Sequence, residues 1–572
     1  MSFKNILSNI FPIADWLPKY NKSYLSGDLS AGLTVGVMLI PQGMAYAMLA
    51  GLPPIHGLYA VTIPLLVYAF MGTSRQLAVG PVAMVSLLAA AGIGALEPQS
   101  TGDYLTYAFT LAFLVGIIQL GMGLLRMGFV VNFLSHPVLS GFTSAAAIII
   151  GLSQIKHLFK IELPRSEHAH EIIWALVHNI KDIHWITFAL GAVGIVIIKY
   201  GKKIHKRFPA PLAAVIFGIL AVTFFNLDES GVVVLGSVPS GLPGLSMPSF
   251  EGHAWAQLFP VALAISLVGF AESFAVAKAI QQRHKDYELR PNQELIALGG
   301  ANIGAAFFQG YPVTGGFSRT AVNDQAGAKT TLASIISAAL IVLTLLFLTG
   351  LFVNLPSAIL AAVVLVAVSG LIDFKEPVAL WKKDRSDFAM LLATFLATLT
   401  LGIEAGIIAG MVLSLVAVIY RASRPHMARL GRIPGSNIFR NIDRFDELEM
   451  AKDTLIVRID GALYFANTTF IRNSIESWLQ NTTSTNRLVL DLSSVPHIDS
   501  SAAHALHEWI DEWQKSGMVV SLSGTHGPVR DILQKWRIIQ QVGESQCYLS
   551  LSEAVDGVQD AEHLSYALEA RI

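Results

Sequence analysis

The chain has 572 residues, 53% of them hydrophobic and only 14% charged, against roughly a quarter charged in an ordinary soluble domain, so the composition is that of a membrane protein. A net charge of −1 leaves no basic excess to collect phosphates, which excludes a general nucleic-acid binder. The single cysteine, Cys547, excludes an internal disulfide framework and a cysteine-rich zinc or iron–sulfur site, and argues against redox chemistry.

The N-terminal residues carry lysines but no small-residue cleavage pattern behind a short apolar core, so they do not read as a removable signal peptide. Residues 1–27 are expected to be a cytoplasmic segment whose Phe, Ile and Trp side chains form a short interfacial helix. From about 28 to 420, apolar runs alternate with short polar joints. Beyond RASRPHMARLGR the composition is that of a soluble protein, which predicts a linker over 421–452 and a second domain over 453–572.

Runs 104–125, 138–158, 257–280, 332–353 and the pair flanking GIEAG near 404 are long enough to span a bilayer, which takes about 20 apolar residues. Runs 57–71, 81–96 and 294–308 are shorter, and Gly or Pro interrupts their approaches. Hydropathy predicts roughly eleven to fourteen spans, the ambiguity lying in these short pieces. The joints 200–208, 281–290 and 375–385 are basic, whereas 97–104 and 226–231 are acidic or neutral. By the positive-inside rule the basic joints, and with them both termini, are cytoplasmic.

Two of the short runs share a grammar. RQLAVGPVAMVSLL (75–88) and PVTGGFSRTAVND (312–324) each lead an extended, glycine-containing segment into a helix start, near Pro81 and Ser318. A helix that begins at mid-membrane leaves its first N–H groups facing a cavity, where they attract anions. One such stretch in each half of the membrane region points to a transporter built from an inverted repeat. Arg319, beside the second start, adds a full positive charge to two partial ones. The other reading is an ion pair with Asp324 or Glu272 that merely joins helices.

Glu272 is the one acid in the apolar middle of VALAISLVGFAESFAVAKAI (261–280), with Lys278 six residues on. Its protonation would depend on occupancy of a neighbouring anion site, which is what proton coupling requires; a structural ion pair is the alternative. Gln42 and Tyr46 lie four apart on one face of the first span and can donate hydrogen bonds to an oxyanion, though such a pair can also be packing.

GDLSAGLTVGVMLIPQGMAYAMLAGLPPIHGLYA (27–60), RQLAVGPVA (75–83), FAESFAVAK (270–278) and GGFSRTAVND (315–324) occur in this order, and the chain resembles the SulP sulfate permease family of anion transporters over nearly its whole length. The resemblance implies an α-helical polytopic membrane protein with fourteen spans in a seven-plus-seven inverted repeat. It implies a mobile core (spans 1–4 and 8–11), a dimerising gate (spans 5–7 and 12–14), a homodimer and an elevator movement. The anion would sit between the short third and tenth spans, at Ala78, Val79, Gly80, Phe317, Ser318 and Arg319, with Gln42 and Tyr46 from the first span. Glu272 matches the proton-coupling glutamate of the plant and bacterial sulfate permeases. The sodium–bicarbonate members carry aspartates in a differently worded motif there. Proton-coupled sulfate uptake across the cell (inner) membrane is therefore expected, with sodium-coupled bicarbonate transport or exchange of chloride, nitrate or dicarboxylate behind it.

In the C-terminal region, 453–467 and 486–496 read as strands, 500–517 as a helix, 518–524 as a strand and 529–538 as a helix, the pattern of a βαβ parallel sheet. It resembles the STAS domain that SulP transporters carry. HIDSSAAHAL (497–506) is similar to the phosphorylation site of the related anti-sigma-factor antagonists, which makes Ser500 and Ser501 regulatory candidates; capping of the helix start is the plainer role for Ser501. A cytoplasmic protein partner for this domain is compatible with that reading. A membrane-anchored STAS signalling protein is the alternative from a different class, in which Arg319 would be dispensable. His168 and His170 read as solvated loop residues, and His504 and His507 lack an HExxH pattern, so no metal is expected. His497, Asp499 and Ser500 have the residue types of a catalytic triad but only local clustering. No phosphate-cradling loop or nucleotide fingerprint is present, so no cofactor and no enzymatic ATP hydrolysis is expected.

Overall fold

The short apolar runs 57–71, 81–96 and 294–308 become the helices Pro54–Tyr59 with Ile63–Met71, Ala83–Gly94 and Pro291–Phe307. The computed structural model describes residues 11–129, 135–162, 169–204, 209–480 and 485–556, and the chain divides into two compact units, Met1–Ser414 and Leu415–Ile572. His168 and part of the 200–208 joint lie outside the described residues.

The first unit is helical. In chain order its helices are α1 (Ile13–Trp16), α2 (Leu25–Leu49), α3 (Pro54–Tyr59), α4 (Ile63–Met71), α5 (Ala83–Gly94), α6 (Thr101–Leu124), α7 (His136–Phe159), α8 (Ala169–His178), α9 (Trp185–Ile204) and α10 (Ala210–Phe225). They continue as α11 (Gly252–His284), α12 (Pro291–Phe307), α13 (Phe317–Gln325), α14 (Leu332–Leu343), α15 (Ser357–Ser369), α16 (Lys375–Lys383), α17 (Arg385–Leu401) and α18 (Ile403–Ser423), the last of which runs into the second unit. Among the described residues, six stretches are long and apolar enough to cross a membrane, and five shorter apolar helices accompany them. Gly402, at φ 92°, breaks the chain between α17 and α18, as the GIEAG stretch predicts.

The heaviest helix contacts fall into two sets, bridged by α2, which also lies on α15 and α10. In one, α6 lies on α12, α2 on α14, α4 on α12 and α11 on α6. In the other, α7 lies on α15 and α17, and α9 lies on α10 and α15. Small residues let the backbones approach closely. A Cβ added to Gly299 of α12 would stand 2.7 Å from the Leu120 nitrogen and 2.8 Å from the Gly116 carbonyl oxygen of α6.

Two buried carboxylates tie joints to helix starts. Asp28 of α2 accepts from the Lys329 and Thr330 N–H groups at 2.7 and 3.0 Å and from the Thr330 hydroxyl at 2.7 Å. Glu294 of α12 accepts from the Thr73 and Ser74 N–H groups at 2.6 and 3.1 Å, and from the Thr73 and Tyr68 hydroxyls at 2.6 Å each. Each is a buried charge made tolerable by several donors.

The second unit is an α/β fold around a six-stranded sheet ordered β4-β3-β5-β6-β7-β8. The strands are β3 (His426–Arg432), β4 (Phe439–Asn441), β5 (Thr454–Asp460), β6 (Arg487–Asp491), β7 (Val519–Ser523) and β8 (Cys547–Tyr548). From β5 to β8 the pairing is parallel, as expected, whereas β3 pairs antiparallel with both β4 and β5. The expected linker 421–452 is thus corrected: it supplies two strands. Its arginines disguise a strand whose alternate residues Ala428 and Leu430 are buried.

A helix absent from the sequence reading, α19 (Thr468–Gln480), links β5 to β6, and α20 (Ser500–Lys515) links β6 to β7. Ala502, Ala503, Leu506, Trp509, Ile510 and Trp513 line the buried face of α20, an i, i+3, i+4, i+7 stripe. The expected helix 529–538 is two pieces, α21 (Gly527–Lys535) and α22 (Ile538–Val542), because Arg537 takes φ 58° between them. The last described helix is α23 (Leu551–Asp556). Burial, with the Glu544 charge adding to it, pushes the Cys547 thiol up to about 12, which keeps it protonated and unreactive.

The contact of α6 with α12 generates the first test. Gly299→Ala meets backbone atoms that cannot rotate away, so it should lower unfolding stability by about 1–3 kcal/mol. Thermal melting of the purified full chain with and without the substitution measures this.

Candidate functional site

Two strands of two residues each meet inside the membrane unit. In β1 (Val79–Gly80) and β2 (Thr314–Gly315), Val79 stands opposite Gly315 and Gly80 opposite Thr314, antiparallel. β1 leads into α5 and β2 into α13, so both helices start beside the same tiny sheet. The cap positions are Val82 and Gly316, and no side chain caps either start. Both helices therefore keep the free N–H groups and partial positive charge of an uncapped end.

Arg319 bridges the two starts. It is 1% exposed, and its Nη1 donates to the carbonyl of Pro81, just before α5. Its Nε and Nη2 are buried without a hydrogen-bond partner. The ion-pair reading of Arg319 fails for Asp324, which instead bonds to His284 at 2.5 Å and Arg283 at 3.4 Å. Arg319 makes no ion pair with Glu272 either, whose Oε2 is unpartnered.

Glu272 Oε2 and Gln42 Oε1 are likewise buried without partners. Gln42 and Tyr46 are 4% and 5% exposed, and Ala78, Val79 and Gly80 are buried, whereas Phe317 and Ser318 are exposed. Lys278 is also exposed. Of the expected residues, then, Arg319 stands at the β1–β2 crossing, Glu272 adjoins Ser273, which bonds to β2, and 78–80 and 317–318 form the two helix approaches; Gln42 and Tyr46 lie buried in α2.

Several residues of the site escaped the sequence reading. The Tyr311 hydroxyl, fully buried, is 3.1 Å from the Ser86 hydroxyl in the first turn of α5. Ser273, next to Glu272, donates to or accepts from Thr314 Oγ1 at 2.6 Å and accepts from the Gly315 N–H at 2.8 Å. The Thr320 hydroxyl accepts from the Ala78 N–H at 3.0 Å. Gly316 has a steric role: a Cβ there would lie 2.7 Å from Arg319 Nη2 and 2.9 Å from its Cζ. Local polarity hints at none of the hydrogen-bonded ones, since each of their partners lies far along the chain, and the role of Gly316 depends on how Arg319 folds back over it.

The remaining candidates separate from this site. In α20, Asp499 and not a serine caps the helix, accepting from the Ala502 N–H at 2.7 Å and the Phe465 N–H at 2.9 Å. This corrects the capping role expected of Ser501, and it commits the Asp499 carboxylate away from any triad with His497. Ser500 and Ser501 are exposed. His504 pairs with Glu508 at 3.3 Å. Among the described residues no cluster of three or more His, Cys, Asp or Glu could hold a metal.

The fold and this site define a multi-pass helical membrane transporter with an α/β domain attached. Residues 25–394 match the sulfate permease family and residues 447–554 the STAS domain. The chain is 39% identical over 568 residues to Sulfate transporter 4.1, chloroplastic, of Arabidopsis thaliana, covering 96% of this chain and 82% of the relative. Its fold is similar to the inward-facing structure of the murine Slc26a9 anion transporter, with TM-score 0.89 and 26% identity, covering 97% of this chain and 94% of the other. It is also similar to the transmembrane domain of a cyanobacterium bicarbonate transporter, BicA, with TM-score 0.59 and 22% identity, over 70% of this chain and 98% of that one. The chain belongs to the sulfate permease family and carries a C-terminal STAS domain.

Gly316 offers a test of the site that leaves the fold alone. In Gly316→Ala the new methyl meets the guanidinium rather than backbone, so melting should be nearly unchanged while apparent anion affinity falls roughly tenfold. Concentration dependence of uptake into proteoliposomes, alongside melting, checks both halves.

Proposed function

We propose that this chain is a secondary transporter that takes up sulfate together with protons, the anion lying between the starts of α5 and α13. The observation that carries the reading is Arg319: a guanidinium 1% exposed, with Nε and Nη2 unpartnered, between two uncapped helix N-termini. An oxyanion there would accept from the guanidinium and from the free N–H groups, and Gln42, Tyr46 and Ser318 would supply further donors. Sulfate is favoured over other anions by the Arabidopsis relative and by Glu272 in the eighth span.

Glu272 is the proposed proton carrier. Its unpartnered oxygen lies within electrostatic reach of Arg319; neutralised by a proton, it would let a divalent anion share the cavity, and ionised it would compete for the guanidinium. Binding of proton and anion would thus reinforce each other.

The wider arrangement belongs to the same proposal. Counting α3–α4 as one span and α14 with its extension to Phe352 as another, α2 to α18 make fourteen spans once α8 and α16 are set aside as joint helices. The antiparallel β1–β2 crossing supports an inverted repeat, and the two packing groups support a core that moves as an elevator against a gate. A homodimer in the cell (inner) membrane with both termini cytoplasmic completes the picture, with Ser500 and Ser501 exposed for regulation or for a protein partner of the STAS domain.

Radiolabelled sulfate uptake into proteoliposomes, with and without an inward proton gradient, tests this directly. Arg319→Ala should cut uptake about 30-fold or more, as expected on removing one partner of a buried charged contact. Glu272→Gln should retain sulfate exchange but lose its dependence on the gradient. Movement of bicarbonate with sodium, and none of sulfate, would replace the substrate and the role of Glu272 while leaving the fold. An unaffected Arg319→Ala protein would favour the signalling reading.

A further inference from the structure

Asn302, in the middle of α12, is fully buried, and its hydrogen bonds go to Val313, Gln119 and Leu298, none of them a proposed anion contact. Its side-chain amide meets the Val313 peptide as a neighbouring strand would. Nδ2 donates to the Val313 carbonyl at 3.0 Å, and Oδ1 accepts from the Val313 N–H at 2.8 Å. The same Nδ2 also faces Gln119 Oε1 of α6 and the Leu298 carbonyl, each at 3.0 Å. Gln119, itself fully buried, reaches the Ser266 carbonyl of α11 at 3.4 Å.

Val313 is the residue immediately before β2. Beyond it, Thr314 pairs with Gly80 and its hydroxyl donates to the Gly269 carbonyl at 2.7 Å; the Gly315 N–H goes to Ser273, and the Gly316 N–H to the Ala78 carbonyl at 3.1 Å. Every residue from 313 to 316 is thereby seated by a partner, and α13 begins at the next one. Arg319 follows within the first turn of α13, so the seat of this segment sets where its guanidinium points. A two-residue strand has no register of its own, and a seated neighbour supplies it.

We propose that Asn302 is a positioning residue for anion binding: clamping both polar groups of Val313, it fixes the entry of α13 and hence the placement of Arg319. This rests on the reading of Arg319 as the anion contact. In Asn302→Leu, similar in volume but without the amide, the Val313 peptide loses both partners and the segment can shift. A misplacement of this kind weakens the productive contact about tenfold or more without touching the ligand.

The experiment uses the full chain in proteoliposomes and in detergent, with sulfate as the probe, comparing the parent with Asn302→Leu, Gln119→Leu and Arg319→Ala. Three readouts are taken: KM for sulfate, maximal exchange rate, and the rise in melting temperature that sulfate produces. For Asn302→Leu the expected result is a KM raised about tenfold or more with the maximal rate within about threefold of the parent, and loss of the sulfate-induced melting shift. Gln119→Leu, which removes only the outer partner of the amide, should raise KM by a smaller factor in the same direction. If Asn302→Leu does not fold, Gln119→Leu decides. An unchanged KM with only a lower melting temperature, or a fall in maximal rate alone, overturns the proposal. If Arg319→Ala loses the sulfate response while both other variants keep it, the positioning role fails and the anion site stands; if Arg319→Ala responds like the parent, the site and the positioning role fail together.

Discussion

A charged group at membrane depth costs about 2.5–3.5 kcal/mol on insertion scales even when the chain inserts normally. Arg319 incurs that cost with two of its nitrogens unpartnered, and the rest of the site can be understood as the means of keeping it so. In the same unit, Glu272 Oε2 and Gln42 Oε1 are also buried and unpartnered. Neither bonds to the guanidinium, and of the two only the Glu272 carboxylate could satisfy its charge as an ion pair. Preorganised, unmet polar groups in a low-dielectric interior make strong ligand contacts, since little reorganisation is needed at the moment of binding.

The contrast with the other buried acids in the same unit is informative. Asp28 and Glu294 are enclosed as completely as Arg319, yet each accepts several hydrogen bonds from the joints beside α14 and before β1. Satisfied carboxylates of this kind stiffen the frame. Together with Asn302, Ser273 and Thr320 they hold a sheet of two residues per strand that has no stability of its own, and they do so from long helices whose positions are set by packing. Asp28 and Glu294 are met by several donors, whereas Arg319 Nε and Nη2, Glu272 Oε2 and Gln42 Oε1 are not met, and buried polar groups left so are rare enough to need an explanation.

The second unit carries its own logic. Parallel strands β5 to β8 and the apolar stripe of α20 form a self-contained core, with Asp499 at the head of α20 holding both the helix start and the Phe465 backbone. That leaves Ser500 and Ser501 exposed and free of a capping duty. Two strands before β5 extend the sheet with antiparallel partners, so the domain starts earlier along the chain than its apolar runs indicate.

Much of this was legible in the chain alone. An apolar majority and few charges dictate a membrane protein, since no other solvent tolerates such runs; glycine and proline ahead of short apolar stretches mark broken helices, because they interrupt the hydrogen-bond ladder; and single charges such as Arg319 and Glu272 stand out where charge is costly. Local order likewise revealed the α/β alternation of the C-terminal region. What only the tertiary structure decided is who meets whom. Tyr311 and Ser86 sit 225 residues apart, β3 finds β5 across a stretch that reads as a linker, and Asn302 looks like one more polar residue until Val313 is placed against it. Hydrophobicity and backbone preference are properties of neighbours in sequence, whereas a hydrogen bond between distant segments, or a guanidinium left without one, exists only after the chain has folded.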